Sequence, residues 1–132
     1  MNILNIEHVS KVFGEKVVLN DVSYGIHQGD KIGIIGINGT GKSTILKIIA
    51  GLEEPDEGQI IFEGKDVAHA SDKELRPYRP RVSMIFQDPF SSLDPRQNAG
   101  SIVGESLRIH QLVKGPEEYQ KRVDELFRKV GL

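Results

Sequence analysis

Cysteine is absent from the 132 residues, which excludes disulfides, a thiolate metal site and a cysteine nucleophile. No apolar run approaches the roughly 18 residues that a membrane-spanning helix needs. The net charge is only −2, so the overall balance gives no reason to expect a nucleic-acid partner. The N-terminus has no basic region followed by an apolar stretch, so we expect no signal peptide. These absences predict a soluble cytoplasmic protein, and 38% hydrophobic residues suffice for a core.

The most informative stretch is KIGIIGINGTGKST, residues 31–44. A short apolar run leads into Gly36-x-x-x-x-Gly41-Lys42-Ser43, which is the P-loop pattern, and apolar residues resume at Ile45. The context is therefore strand, glycine loop and helix, as the pattern requires. A glycine-rich turn without a ligand is the alternative, and the flanking segments favour nucleotide binding over it.

The residue types of this loop suit a nucleoside triphosphate. Glycines at 36, 39 and 41 allow positive φ and let backbone N–H groups turn toward phosphate. Lys42 can reach the β- and γ-phosphates, and the Ser43 hydroxyl suits Mg²⁺. Thr44 is expected at an α-phosphate oxygen. The predicted nucleotide-binding residues of the loop are Gly36, Ile37, Asn38, Gly39, Thr40, Gly41, Lys42, Ser43 and Thr44.

Hydrophobic periodicity and turn signals predict an α/β arrangement. We expect strands over 3–13, 17–26, 31–37, 59–63 and 82–86. We expect helices over 42–50, after Ser71, over 99–110 and from Pro116 to a cap at Gly131. Because 31–37 is almost wholly apolar, it should be a central strand that is buried on both faces. The helix over 42–50 is apolar on most sides and should be buried too.

In this order, the chain resembles the N-terminal half of an ABC-type ATPase domain, the nucleotide-binding subunit of ABC transporters. Besides the P-loop, Val12-Phe13-Gly14 stands where this family places an aromatic residue that stacks on adenine. Gln87 follows the apolar run 82–86, as in the family's Q-loop. The resemblance implies that Phe13 stacks on the adenine base and that Gln87 and Ser43 are both ligands of Mg²⁺. Without the family, Phe13 would be read as a core or edge-strand residue.

The resemblance also implies the architecture and the partners. It implies a partial P-loop NTPase fold: an antiparallel β subdomain and the P-loop core over residues 1–95, then the start of a helical subdomain over 96–132. A full-length parent would bind ATP and Mg²⁺ at the cytoplasmic face of the inner membrane. It would work with a membrane permease subunit and a second ATP-binding subunit, without nucleic acid.

Two segments of the chain resemble different branches of the family. Residues 1–60 are more similar to translation-associated ABC proteins, and residues 61–132 to ATPases of oligopeptide and dipeptide importers. The importer-like segments are 74–77, 86–96 and 104–110. A chimera, or a fragment of a soluble translation-associated protein, is therefore an alternative to a peptide importer ATPase.

Several family elements are not found in the 132 residues. There is no Leu-Ser-Gly-Gly-Gln signature, no apolar strand that ends in the Asp-Glu of a Walker B motif, and no histidine at the switch position. We therefore assign no catalytic residue and expect ATP binding with little turnover. We also expect exposed sheet edges beside the P-loop strand, which would favour self-association.

Overall fold

The computed structural model describes residues 2–88, 91 and 93–132 of the chain. It divides into two compact units, Met1–Met84 and Ile85–Leu132, and each is described by itself. The boundary that we expect between residues 95 and 96 separates the two subdomains of the family. The division into compact units does not test that boundary, which stays a prediction.

The first unit is built on a four-stranded antiparallel sheet. Its strands are β1 (Asn2–Phe13), β2 (Lys16–His27), β3 (Glu57–Phe62) and β4 (Lys65–Asp66). They lie in the order β2-β1-β3-β4, so the N-terminal strand is central. The three longer strands were predicted from their sequence pattern, and their ends agree with it to within about two residues.

The hairpin of β1 and β2 is closed by the two-residue turn Gly14–Glu15, so that Phe13 pairs directly with Lys16. The strand β1 is irregular near His8, which has a φ of 53°, and its register shifts between Ile6 and Val9. This bulge was not predicted. It lets Val9 follow Leu4 and Ile6 into the core although strict alternation would have placed residue 8 there.

Helix α1 (Lys42–Ile49) follows the P-loop and packs Ile45 and Ile48 into the core of the sheet. The core consists of Leu4, Ile6, Val9, Leu19, Ile45, Ile48, Ile60, Val67, Ala68, Leu75 and Tyr78. The expected burial of α1 on most sides is wrong, because Leu46 is 45% exposed. Only one face of the helix lies against the sheet. Gly51 follows its end with a φ of 69°, the left-handed conformation that glycine adopts beyond a helix end.

Residues 31–37 and 82–86 are not strands among the residues that the structure describes. The expectation that 31–37 is buried on both faces is also wrong, since Ile35 is 97% exposed and Ile37 is 80% exposed. The physical reason is that a strand exists only through pairing. The described strands pair with each other, and none pairs with either segment.

A short helix, α2 (Asp72–Leu75), begins at Ser71 as predicted. The carboxylate of Glu74 accepts hydrogen bonds from the Ser71 backbone N–H at 2.9 Å and from its hydroxyl at 2.7 Å. Further on, the buried Tyr78 donates its hydroxyl hydrogen to the Ile49 carbonyl at the end of α1. Burial raises the pKa of Tyr78 to about 12. This bond fastens the end of α1 to the segment that follows α2.

The second unit contains α3 (Ala99–Ile109) and α4 (Pro116–Lys129). Both helices were predicted, and α4 has Pro116 in its first turn and Gly131 beyond its end, as expected. Gly104 is buried because the Tyr119 ring lies against it, and a Cβ there would be 2.1 Å from the Tyr119 hydroxyl oxygen. No helix within the described ranges is long and apolar enough to cross a bilayer.

Candidate nucleotide-binding site

The P-loop, residues 36–43, takes its shape from two glycines. Gly39 has a φ of 83° and Gly41 a φ of 90°, a region that residues with a Cβ rarely adopt. Gly36 does not have positive φ, so that part of the expectation is wrong. Its missing side chain instead leaves room for Thr40, because a Cβ at Gly36 would lie 2.7 Å from the Thr40 hydroxyl oxygen.

Two side chains of the loop fold back onto its own carbonyl groups. Thr40 donates its hydroxyl hydrogen to the Ile37 carbonyl at 2.7 Å. The Lys42 ammonium donates to the same carbonyl at 2.8 Å and also to the carbonyl of Gly36. These bonds hold the Lys42 ammonium against the loop, close to the backbone groups that begin the helix.

The start of α1 offers a group of backbone donors. The first bond of the helix joins the Ile45 N–H to the Gly41 carbonyl at 2.9 Å, and no side chain caps the helix at Gly41. The N–H groups of residues 41–44 therefore have no partner within the helix. The positive end of the helix dipole lies at the same place. An anion of phosphate size is the ligand that such a terminus binds.

The remaining residues of the predicted set lie in the turn before α1 and in its first turn. Asn38 lies in the turn with Gly39, and Ile37 is exposed. Ser43 and Thr44 stand in the first turn of α1, with Ser43 exposed. The Ser43 hydroxyl is a hard oxygen ligand, which is the type that Mg²⁺ prefers, so this residue fits the expected metal role.

The β1–β2 hairpin contacts the loop from one side. A Cβ built at Gly41 would lie 2.6 Å from the Val18 carbonyl oxygen and 3.0 Å from a methyl carbon of Leu19. A Cβ at Gly39 would lie 3.2 Å from the Lys16 ammonium nitrogen. Glycine is therefore required at 41 by the hairpin as well as by φ. Neither contact could be predicted from the sequence, because no local pattern links residues so far apart.

Phe13, the expected adenine platform, stands at the end of β1 and is 49% exposed. The Lys11 ammonium lies 5.3 Å from the centre of its ring, a cation–π distance. Since the hairpin that carries Phe13 also touches Gly39 and Gly41, the structure places the aromatic ring and the P-loop on the same compact unit.

Lys11 is itself held by acidic residues. Its ammonium lies 3.0 Å from Glu53 and 3.1 Å from Asp56, and it donates to the Glu54 carbonyl at 2.7 Å. The hydrogen bond to Glu53 raises the pKa of Lys11. The backbone N–H of Val12 donates to Asp56 at 2.7 Å and, with Lys11, lowers the pKa of Asp56. These bonds fix the end of β1 next to Phe13.

Gln87, the other expected Mg²⁺ ligand, belongs to the second unit and is exposed. Of the importer-like segment 86–96, Pro89, Phe90 and Ser92 lie outside the described residues. The role of Gln87 stays a prediction.

A cleft of about 720 Å³ opens behind the loop, between β2, α1 and residues 32–36. Gly36, Thr40 and Lys42 are among its lining residues, but its walls are mainly isoleucine, leucine and valine side chains. Phe13 is not among the lining residues. An apolar cleft suits side-chain packing and not a triphosphate, so we place the nucleotide at the loop and not in this cleft.

Fold and loop together define a P-loop nucleotide-binding protein. The family model described as ABC transporter matches residues 19–132. The chain belongs to this family and corresponds to part of its ATP-binding domain.

Curated relatives include proteins named for peptide transport. An oligopeptide transport ATP-binding protein, OppF of Bacillus subtilis, is 38% identical over 98% of this chain and 44% of its own length. A dipeptide transport ATP-binding protein, DppF of Lactococcus lactis, is 44% identical over 90% of this chain and 39% of its own length. The chain thus spans less than half the length of these relatives.

Solved structures confirm the fold. A dimeric ATP-binding cassette in a post-hydrolysis state, bound to ADP and Pi, has a TM-score of 0.77 and 30% identity, over 95% of this chain and 56% of that one. A nucleotide-free cassette of an ABC transporter has a TM-score of 0.55 and 44% identity, over 59% of this chain and 31% of that one. The expected class, a partial ABC-type P-loop NTPase fold, is therefore confirmed.

The alignment with the Bacillus subtilis oligopeptide transport protein covers both of the segments that resemble different branches. A chimeric origin stays a prediction, and separate comparisons of residues 1–60 and 61–132 would test it.

Proposed function

We propose that this chain is the ATP- and Mg²⁺-binding portion of an ATPase that drives peptide import. The observation that carries the proposal is the P-loop itself, with Lys42 held against it and uncapped N–H groups at the start of α1. The relatives named for oligopeptide and dipeptide transport support peptides as the cargo. Their alignment across both segments favours an importer over a soluble translation-associated protein.

The proposed division of labour follows from the chemistry of each group. The N–H groups of residues 41–44 and the Lys42 ammonium bind the phosphates, and the Ser43 hydroxyl holds Mg²⁺. When bound, Mg²⁺ would supply positive charge close to the phosphates. Phe13 stacks on the adenine, and Gln87 contributes at Mg²⁺ in the complete protein.

The proposed partners belong to the complete protein. There, a membrane permease subunit and a second ATP-binding subunit work with this part at the cytoplasmic face of the inner membrane. The dimeric cassette bound to ADP and Pi is consistent with such pairing.

ATP binding to the parent chain and to a Lys42→Ala variant tests the proposal. A hydrogen bond that involves a charged group contributes about 1.5–3 kcal/mol. The variant should therefore bind ATP about 10- to 100-fold more weakly in equilibrium dialysis with Mg²⁺. Equal binding by parent and variant would refute the proposed site.

A second candidate function is nucleotide binding without hydrolysis. It is favoured by the lack of a signature sequence and of a Walker B carboxylate pair in these 132 residues. A phosphate-release assay separates the two candidates, with Lys42→Ala as the background. Release clearly above that background would reject the non-catalytic candidate, and release equal to it would support it for these residues.

A further inference from the structure

Lys16 brings a second positive charge to the P-loop. Its ammonium nitrogen lies 3.2 Å from the position that a Cβ of Gly39 would occupy, so it lies beside the loop. The Lys42 ammonium donates hydrogen bonds to the carbonyl groups of residues 36 and 37. Two ammonium groups and the positive end of α1 therefore meet around one short loop.

This arrangement is electrostatically unfavourable unless an anion compensates it. Like charges repel each other, and a cation at a helix N-terminus opposes the helix dipole. Among the residues that the structure describes, no carboxylate forms an ion pair with Lys16, whereas Lys11 on the neighbouring strand has two. Lys16 thus lacks the acidic partners that would explain its position by folding alone.

The hairpin gives Lys16 a defined place relative to the expected base platform. Phe13 and Lys16 are directly paired across β1 and β2, and paired residues project their side chains from the same face of a sheet. The Lys16 side chain therefore leaves the hairpin beside Phe13 and ends at the loop. A ligand with its base on Phe13 and its phosphates on residues 41–44 would pass the Lys16 ammonium.

We propose that Lys16 is a phosphate-binding residue, whose ammonium contacts the α- and β-phosphates of the nucleotide from the hairpin side. This inference rests on the proposed function, because it assumes that the loop binds a nucleoside triphosphate. It adds a residue of the hairpin to the site, which otherwise draws its phosphate ligands from 36–44 alone. The hairpin contact at Gly41 would then position Lys16 as well as Phe13.

The test compares binding of ATP and ADP to the full chain and to four variants. Lys16→Gln removes the charge, Lys16→Arg keeps it, and Lys73→Gln is the matched control at another exposed lysine. Lys42→Ala reports on the proposed function. Urea unfolding of each variant verifies that the fold is unchanged.

We expect Lys16→Gln to weaken ATP and ADP binding by similar factors of about 5, since both nucleotides contain the α- and β-phosphates. Lys16→Arg should bind nearly as well as the parent, and Lys73→Gln should match it. The difference between parent and Lys16→Gln should also shrink at high salt, because an exposed charge is screened.

The outcomes separate the two claims. If Lys42→Ala loses binding while Lys16→Gln equals Lys73→Gln, the role of Lys16 is refuted and the proposed site stands. If Lys16→Gln weakens binding with an unchanged free energy of unfolding, a purely structural role is refuted. If the parent chain binds neither nucleotide, both claims fail together.

Discussion

Gly41 has two roles in the structure, and only one of them concerns the proposed phosphate site. With a φ of 90° it precedes α1, whose first N–H groups have no partner within the helix. Its missing Cβ also lets the Val18 carbonyl of the hairpin approach the loop. The glycine of the motif is thus a contact between two elements, which the motif alone does not reveal.

Replacing Gly41 by alanine should therefore cost more stability than the same change at an open turn. Left-handed backbone costs a residue with a Cβ about 1–2 kcal/mol, and the Val18 contact adds to this. Gly14 is the matched control, because its φ is 61° and nothing lies within 4 Å of a Cβ there. Urea unfolding followed by circular dichroism should show a larger loss for Gly41→Ala. Equal losses of unfolding free energy for the two variants would show that the Val18 contact adds no cost at Gly41.

At the scale of elements, the strand end that carries Phe13 is fixed by Asp56. This carboxylate accepts from the Val12 N–H and lies beside the Lys11 ammonium, and both lower its pKa below the ordinary 3.8. A lowered folded pKa stabilises the fold above the unfolded value. That stabilisation is lost as the pH falls through the folded value.

The variant Asp56→Asn tests this stabilisation through the pH dependence of the free energy of unfolding. The variant should be less stable than the parent at neutral pH, and the difference should shrink as the pH falls below 3.8. The measurement is the free energy of unfolding in urea, taken stepwise from about pH 7 to about pH 2. A difference that stays constant with pH would show that the charge of Asp56 is not involved.

Elements whose signals are local could be predicted from the sequence. The capping box of Ser71 and Glu74 and the bounds of α1 both depend on residues a few positions apart. Elements that depend on distant partners could not. Residues 31–37 have the composition of a buried strand, yet they pair with no described strand. The bulge at His8 and the approach of Lys16 to Gly39 are also set by packing between elements.

On the scale of the whole molecule, residues 31–37 present an apolar surface. Ile35 and Ile37 are 97% and 80% exposed, and Ile32 and Ile34 are 43% and 44% exposed. Apolar groups this exposed favour association, because burial releases about 25 cal/mol per Å². The sequence predicted association through sheet edges beside the P-loop strand. Because 31–37 forms no strand among the described residues, we expect its exposed isoleucines to mediate association instead.

We predict that the chain self-associates with rising concentration and that Ile35→Glu reduces this. Size-exclusion chromatography with light scattering measures the mass directly. Leu112→Glu is the control, because it adds the same charge at a leucine that is 60% exposed in the second unit. A parent chain that stays monomeric at all concentrations, with cooperative unfolding, would contradict the prediction.

The central claim is that the P-loop of this chain binds a nucleotide. The most direct measurement is the thermal unfolding midpoint of the parent and of Lys42→Ala, each titrated with ATP in excess Mg²⁺. A ligand that binds the folded state stabilises it by RT ln(1 + [L]/Kd), about 2.7 kcal/mol at 100 times Kd. We predict a midpoint that rises with ATP for the parent and far less for Lys42→Ala. A midpoint that does not move for the parent, or that moves equally for both, would contradict the claim.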